Sequence, residues 1–296
     1  MIPIAIGISF LVFGILYISP GDPAQILAGD DATETDIAAI RERYGLDEPF
    51  LVQYGVWVGN AVQGDLGRSI ITRRPVVDEI RSRIAPTAQL AVAAIAFAIV
   101  FGTLIGIISA TKQNSMADYL TMVVALIGVS MPAFWLGLVL IFFFGVDLGW
   151  APTGGADGWT ALILPTVTLG ASSTAIVARM TRSSVLETIR QDYTRTARAK
   201  GLSEGTILHR HILKNAWIPI VTVVGIEFGH LLGGTVITET VFSRPGLGRL
   251  LVDGIRTRDF PVVQGTLMVL AFTFVTVNLL VDILYSYIDP RIRRIG

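Results

Sequence analysis

Few side chains in this sequence are placed to do chemistry. Glu227 and His230 interrupt an otherwise charge-free apolar run from Ala216 to Thr238, three residues apart. At that spacing they fall on one helix face. Such a pair could attract an amine, or form a structural polar pair at a subunit interface; both readings stay open. An acid inside a membrane is costly, so the pair is expected to face a cavity or a partner chain rather than lipid. Gly225, Gly229 and Gly233 repeat every four residues on roughly the opposite side, which predicts close packing there against another helix. Ser130 and Pro132 are further candidates for lining a pathway. Ser130-Met131-Pro132 lies within another apolar run, where proline kinks or breaks a helix and neighbouring helices satisfy the freed carbonyl. A packing irregularity is the alternative. His209 and His211 are two apart, on different helix faces, with no third ligand nearby, so no metal site is expected. No nucleophile, base and orienting group can be assembled from the apolar runs. There are no cysteines, which excludes disulfides and thiolate chemistry. None of the three lysines, Lys112, Lys200 and Lys214, follows a glycine, so there is no P-loop. If nucleotide energy is used, another chain hydrolyses it.

The elements that would carry these residues are membrane helices. Of 296 residues, 52% are hydrophobic and 16% charged, against about a quarter charged in an ordinary soluble domain. Six long apolar runs follow in order: Ile2 to Ser19, Ile84 to Thr111, Tyr119 to Val146, Gly158 to Ala178, Ala216 to Thr238 and Pro261 to Val281. A helix needs roughly 20 residues to cross about 30 Å of hydrocarbon. The first run lacks the basic flank and the small-residue cleavage site of a signal peptide, so it is expected to be retained as a span. The missing basic flank also suggests a true start upstream of Met1. Gly102 and Gly106 form a GxxxG pattern for close helix crossing.

Residues 21–83 hold seven arginines against eleven acids, a polar segment expected to form a small helical extracytoplasmic cap. Three short helices are expected in it. Thr35 caps the first, which ends near Gly45. Phe50, Tyr54, Trp57 and Ala61 share a face of the second. Pro75 opens the third, whose stripe Val76, Ile80 and Ile84 is expected to lie on the membrane surface. The predicted organisation is therefore a first transmembrane helix (1–20), the cap (21–83), a five-helix core (84–288) and a tail (289–296). Residues 239–260 are expected to be a polar loop.

The longest polar interruption between the later runs is also the most basic. Tyr193 to Pro219 predicts helix, turn, helix. Gly201 stops the first helix and Ser203 caps the second. Ile207, Leu208 and Ile212 give the second an apolar stripe. Ala197 and Gly201, four apart and small, are expected to let another surface approach closely. Arg195, Arg198, Lys200 and Arg210 surround them with charge. This is expected to be a protein-docking elbow. Eight basic residues lie between Arg179 and Lys214 and three in the tail, so the positive-inside rule puts the elbow and both termini in the cytoplasm. Four arginines in the 239–260 loop violate the rule locally.

The run YTRTARAKGLS, followed by RHILKNA, resembles the EAA-type cytoplasmic signature of permease subunits of ATP-binding cassette importers. Within them the chain is similar to the dipeptide, oligopeptide and nickel branch. Further stretches carry the resemblance: PGDPA (20–24), YGLDEPFLVQYGVWV (44–58), GDLGRS (64–69) and ETVFSRPGLGRLLVDGI (239–255). Arg195 stands where the general signature begins with Glu, and Lys214 follows Leu213 where it ends in Leu-Pro. Both departures match the peptide branch and speak against sugar or amino-acid permeases.

The resemblance implies an all-α, six-span permease with the type I importer fold, in a bacterial inner membrane. It implies a second homologous permease, two ATPase subunits and an extracytoplasmic solute-binding protein as partners, besides membrane lipid and with no nucleic acid. It implies that this chain is not an enzyme and holds no cofactor, ATP and magnesium belonging to the ATPases. The elbow becomes the ATPase-coupling region, with Arg195, Ala197, Arg198, Lys200, Gly201, Leu202 and Ser203 at the contact. The implied cargo is a di- or oligopeptide, with nickel chelates, glutathione-like peptides or other small solutes as alternatives. A self-sufficient secondary transporter predicts internal repeats that the sequence lacks. A DNA-reading helix-turn-helix is disfavoured because the elbow is tethered to spans on both sides.

Overall fold

A computed structural model describes residues 2–18, 24–25 and 33–288. Pro20 to Pro23 of the PGDPA stretch and the tail 289–296 lie outside the described residues. The described residues fold into helices joined by turns, with a lone bridge between Arg68 and Pro75 and no strand among them. The helices, in order, are α1 (Ile2–Ile18), α2 (Glu34–Tyr44), α3 (Phe50–Val62), α4 (Val76–Thr111), α5 (Met116–Ser130), α6 (Ala133–Asp147), α7 (Thr160–Ile189), α8 (Asp192–Ala199), α9 (Glu204–Val241), α10 (Leu247–Arg256) and α11 (Phe260–Ile288). α4, α7, α9 and α11 are each long and apolar enough to span a bilayer. α5 and α6 pass that test together, bent by 107° at their junction. With α1, 17 residues without a charge, these make the six apolar segments expected.

The chain divides into two compact units, Met1–Ala85 with Pro245–Val275, and Pro86–Arg244 with Thr276–Gly296. In the first, α3 lays Phe50, Tyr54 and Trp57 against Phe10 and Phe13 of α1, with ring centroids 5.3 to 5.7 Å apart. Tyr54 Oη and Ser9 Oγ share a hydrogen bond of 2.7 Å, so the aromatic face keeps its polar tip satisfied. Three local expectations fail here. Thr35 lies inside the first turn of α2 rather than capping it. The third cap helix is not separate: it runs on through Pro86 as the start of the 36-residue α4. Its stripe does not lie on the membrane, because Val76 and Ile80 are buried among Leu247, Leu250 and Val262. The partner is α10, an amphipathic helix within the segment expected to be a loop. Nothing in the local pattern of Val76 and Ile80 separates a lipid surface from a protein one.

In the second unit, α7 is the central post. α4 crosses it where glycine lets the backbones meet. A Cβ at Gly102 would lie 2.8 Å from the Thr174 carbonyl oxygen, and one at Gly106 would lie 2.6 Å from that of Ala178. The GxxxG expectation holds. A core of Ala110, Val177, Val185, Ala197, Ile207, Ile212, Ala216 and Ile220 fills the end where α7 passes into α8. At the opposite end, Gly137 of α6 packs on Thr168, Val241 and Phe242, and Gly155 N donates to Phe242 O. The α5–α6 pair starts at the first end, where Asp118 meets Arg182, and finishes at the second. The break falls at Ser130-Met131-Pro132 as expected, and Pro132 is the N-cap of α6.

Candidate functional site: the elbow and the polar groups of the spans

The elbow joins two spans, α7 and α9, at one end of the bundle. After α7 closes at Ile189, α8 runs for 8 residues and stops at Lys200. Gly201 takes φ +77°, the left-handed conformation that glycine adopts at no steric cost. Ser203 then caps α9, its Oγ accepting from Thr206 N at 3.4 Å. α9 opens through a π-helical stretch, Ile207–Ile212, and continues without a break to Val241.

Two rows of side chains result. Thr194, Ala197, Ile207 and Ile212 face inward and are buried. Thr194 Oγ1 donates to the Thr188 carbonyl across the α7–α8 corner at 2.9 Å. Tyr193, Arg195, Thr196, Lys200 and Leu202 face outward and are exposed. The expectation for Ala197 and Gly201 is thereby revised. Ala197 is 4% exposed and seats the elbow on its own bundle, so it is not a face for a second protein. Gly201 shapes the turn, and a Cβ there would meet nothing within 4 Å. Arg198 Nε and Nη2 donate to Glu204 at 2.7 and 3.1 Å, a bidentate pair that braces the turn from outside.

The path candidates separate. Glu227 is buried and its Oε2 accepts from Ser173 Oγ of α7 at 2.7 Å. His230 is exposed on this chain, as are Ser130 and Pro132. Glu227 and His230 therefore do not share an environment, although their spacing puts them near one face. The glycine expectation also shifts: Gly233 has nothing within 4 Å of a Cβ, whereas Gly234 lies against Leu169 of α7. The helix is turned so that the acid, not Gly233, meets its neighbour.

Two polar clusters escaped the sequence reading. At the elbow end, Asp118 accepts from Arg182 Nε and Nη2, both at 2.8 Å, from Ser109 Oγ and from Asn114 N. At the opposite end, buried Glu239 accepts from Thr87 Oγ1 at 2.6 Å. Arg244, 2% exposed, donates through its backbone to the Glu239 carbonyl and through its side chain to Pro86 O and Gln89 Oε1. Burial of that guanidinium pulls it below its usual range, offset in part by Glu239. The ETVFSR stretch is thus the corner that ties the end of α9 to α4. The available signal was opposite charges bordering charge-free runs. Their pairing spans 64 residues for Asp118 and Arg182, so no local window contains it. Among the described residues no group of acids and histidines could hold a metal ion.

A multi-pass helical bundle with an exposed, rigidly capped elbow between two spans is the architecture of a transporter membrane subunit. Residues 102–294 match the family described as binding-protein-dependent transport system inner membrane component, and residues 1–91 match the corresponding N-terminal family. The chain belongs to this family of importer permeases. It is 48% identical to the glutathione transport system permease protein GsiC of Escherichia coli strain K12, over 99% of this chain and 96% of the relative. It is 46% identical to the dipeptide transport system permease protein DppB of Alkalihalophilus pseudofirmus, over 99% and 96%. The fold resembles the inward-facing MetNI methionine ABC transporter, with TM-score 0.60 and 19% identity over 71% of this chain and 96% of that one. It also resembles an amino acid ABC transporter, with TM-score 0.56 and 18% identity over 72% and 94%.

Proposed function

We propose that the chain forms half of the translocation pathway of an ATP-driven importer of short peptides, glutathione among them, and couples to its ATPases through the elbow. The observation that carries the coupling is the two-sided elbow. It is fixed to α7 and α9 by buried Thr194, Ala197, Ile207 and Ile212, while Tyr193, Arg195, Lys200 and Leu202 point away from the bundle. A surface held that firmly passes a displacement directly to both spans. ATP and magnesium bind on two separate ATPase subunits; their closure moves the elbows of this chain and of a second, homologous permease. ATP thereby acts as a ligand with different affinity for the inward-open and outward-open states.

In this reading Arg195, Lys200 and Leu202 make the contact. Gly201, Ser203 and the Arg198–Glu204 pair hold its shape, and Ala197 anchors it. The elbow end is cytoplasmic, both termini are on that side, and a solute-binding protein delivers cargo at the opposite face. Ser130, Pro132 and His230 border the pathway or the second permease, whereas Glu227 is a structural acid. The peptide assignment rests on the relatives at 48% and 46% identity.

The test is reconstitution of the co-purified complex in vesicles, with uptake of labelled glutathione and dipeptides followed with and without ATP. ATP-dependent uptake that is lost in Arg195→Glu/Lys200→Glu, with the second permease still bound, is the expected result. Uptake that proceeds without ATPases, or survives the double charge reversal, overturns the reading.

A further inference from the structure

The Asp118–Arg182 pair does more than close a polar gap between α5 and α7. Beside it opens a cleft of about 660 Å³, lined by Gln113, Met122, Arg179, Arg182, Arg190 and Glu187, among others. That volume is in the range of small-molecule sites, ~300–1,000 Å³. Three guanidiniums face it from one side of α7. Asp118 takes Nε and Nη2 of Arg182 and also accepts from Ser109 and Asn114, so its acceptors are occupied within the chain. This fixes the Arg182 plane and leaves Nη1 free to donate elsewhere. Among the described residues, Arg179 and Arg190 have no ion-pair partner. Arg179 sits about 16 Å along the helix from Arg190 at ~1.5 Å per residue, which carries it up toward the hydrocarbon region. An arginine at that depth is costly without a counter-charge.

We propose that this cleft binds the phosphodiester headgroup of an anionic phospholipid from the leaflet at the elbow end. Charge supports a monoanion: three arginines against Asp118 and Glu187 leave one net positive charge. Donor geometry supports phosphate, since guanidiniums match its oxygens in a fork. Basic pockets between transmembrane helices are a known physical solution for lipid headgroups. The surroundings support a lipid over a soluble anion. Met122 and Leu186 line the same cleft, and Tyr119, Leu120 and Val123 of α5 continue an exposed apolar face beside Met122, where acyl chains would lie. A bound headgroup would balance the one net positive charge of the cleft and steady the end of α7 that feeds the elbow.

The test uses the whole complex in phosphatidylcholine nanodiscs doped with phosphatidylglycerol, with retained lipid counted by native mass spectrometry. Selective retention of phosphatidylglycerol is expected. Arg179→Gln/Arg190→Gln should weaken it about thirtyfold, two basic contacts at the usual strength of each. Arg81→Gln, an exposed arginine near the start of α4 that does not line the cleft, should leave it unchanged. Equal retention in the double variant, or equal loss in Arg81→Gln, overturns the site. Displacement of the lipid by excess inorganic phosphate overturns the lipid as ligand in favour of a free anion. Loss of ATPase subunits without loss of lipid marks the cleft as a protein-docking patch instead. A second measurement needs no variant: phosphatidylglycerol titrated into the parent complex in detergent should raise its thermal unfolding midpoint, and no rise counts against the proposal. Neither readout depends on transported cargo, so failure of this site and failure of the peptide-import reading are distinguishable.

Discussion

At residue scale, Glu227 and Gly201 show how one side chain's meaning depends on its surroundings. Glu227 accepts from Ser173 Oγ across the α7–α9 contact, and a glutamine carbonyl can accept the same bond. Glu227→Gln should therefore keep both uptake and thermal stability. Glu227→Leu leaves the buried Ser173 hydroxyl without an acceptor and should cost about 1–3 kcal/mol, read as a lower unfolding midpoint in detergent. Loss of uptake in Glu227→Gln at unchanged stability would instead give its charge a part in transport. Gly201 needs its positive φ and no empty space. Asparagine tolerates that conformation and valine does not. Gly201→Asn should still bind the ATPases, while Gly201→Val should lose a large share of them in co-purification. Equal binding by both variants would show that the turn is not what glycine supplies.

At the scale of elements, α7 gathers the contacts and small residues decide how near its neighbours come. At Gly106 an added Cβ would come within 2.5 Å of Thr181 Cβ, while at Gly233 it meets nothing within 4 Å. Gly106→Ala should overpack the α4–α7 crossing by about 1–3 kcal/mol, and Gly233→Ala should be silent, as measured by the fraction of monodisperse protein surviving a heat step. A reversed order would mean that the crossing is not the close one. The break between α5 and α6 follows the same logic. Pro132 cannot continue α5 but suits the entry to α6, where its missing N–H costs nothing.

For the whole molecule, the lack of cysteine gives a direct test of sidedness. Thr196→Cys in the elbow and Asp157→Cys in the loop after α6 are both at exposed positions. An impermeant maleimide added to intact cells should label Asp157→Cys and spare Thr196→Cys until the membrane is opened. The opposite pattern would invert the topology and remove the elbow from the ATPase side. The positive-inside argument points the same way, with Arg244, Arg249, Arg256 and Arg258 counting against it. One of these, Arg244, is buried beside Glu239 and contributes no exposed charge.

Local pattern was enough for the apolar runs, the break at Ser130-Met131-Pro132, the GxxxG crossing and the helix–turn–helix of the elbow. Each is written within one or two turns of chain: hydropathy, a proline, glycine spacing, a cap residue. The family likeness was also legible, because its motifs run along most of the chain in order. Only the tertiary structure decided which face of each helix is inside. It turned Ala197 inward, sent Glu227 to Ser173 and left His230 exposed, and buried Val76 and Ile80 against α10 instead of lipid. It also joined Asp118 to Arg182 and Glu239 to Thr87. The physical reason is common to all of these. An amphipathic stripe or a charge in an apolar run states that a partner is needed, but the partner's identity is a long-range fact, fixed only when distant segments pack together.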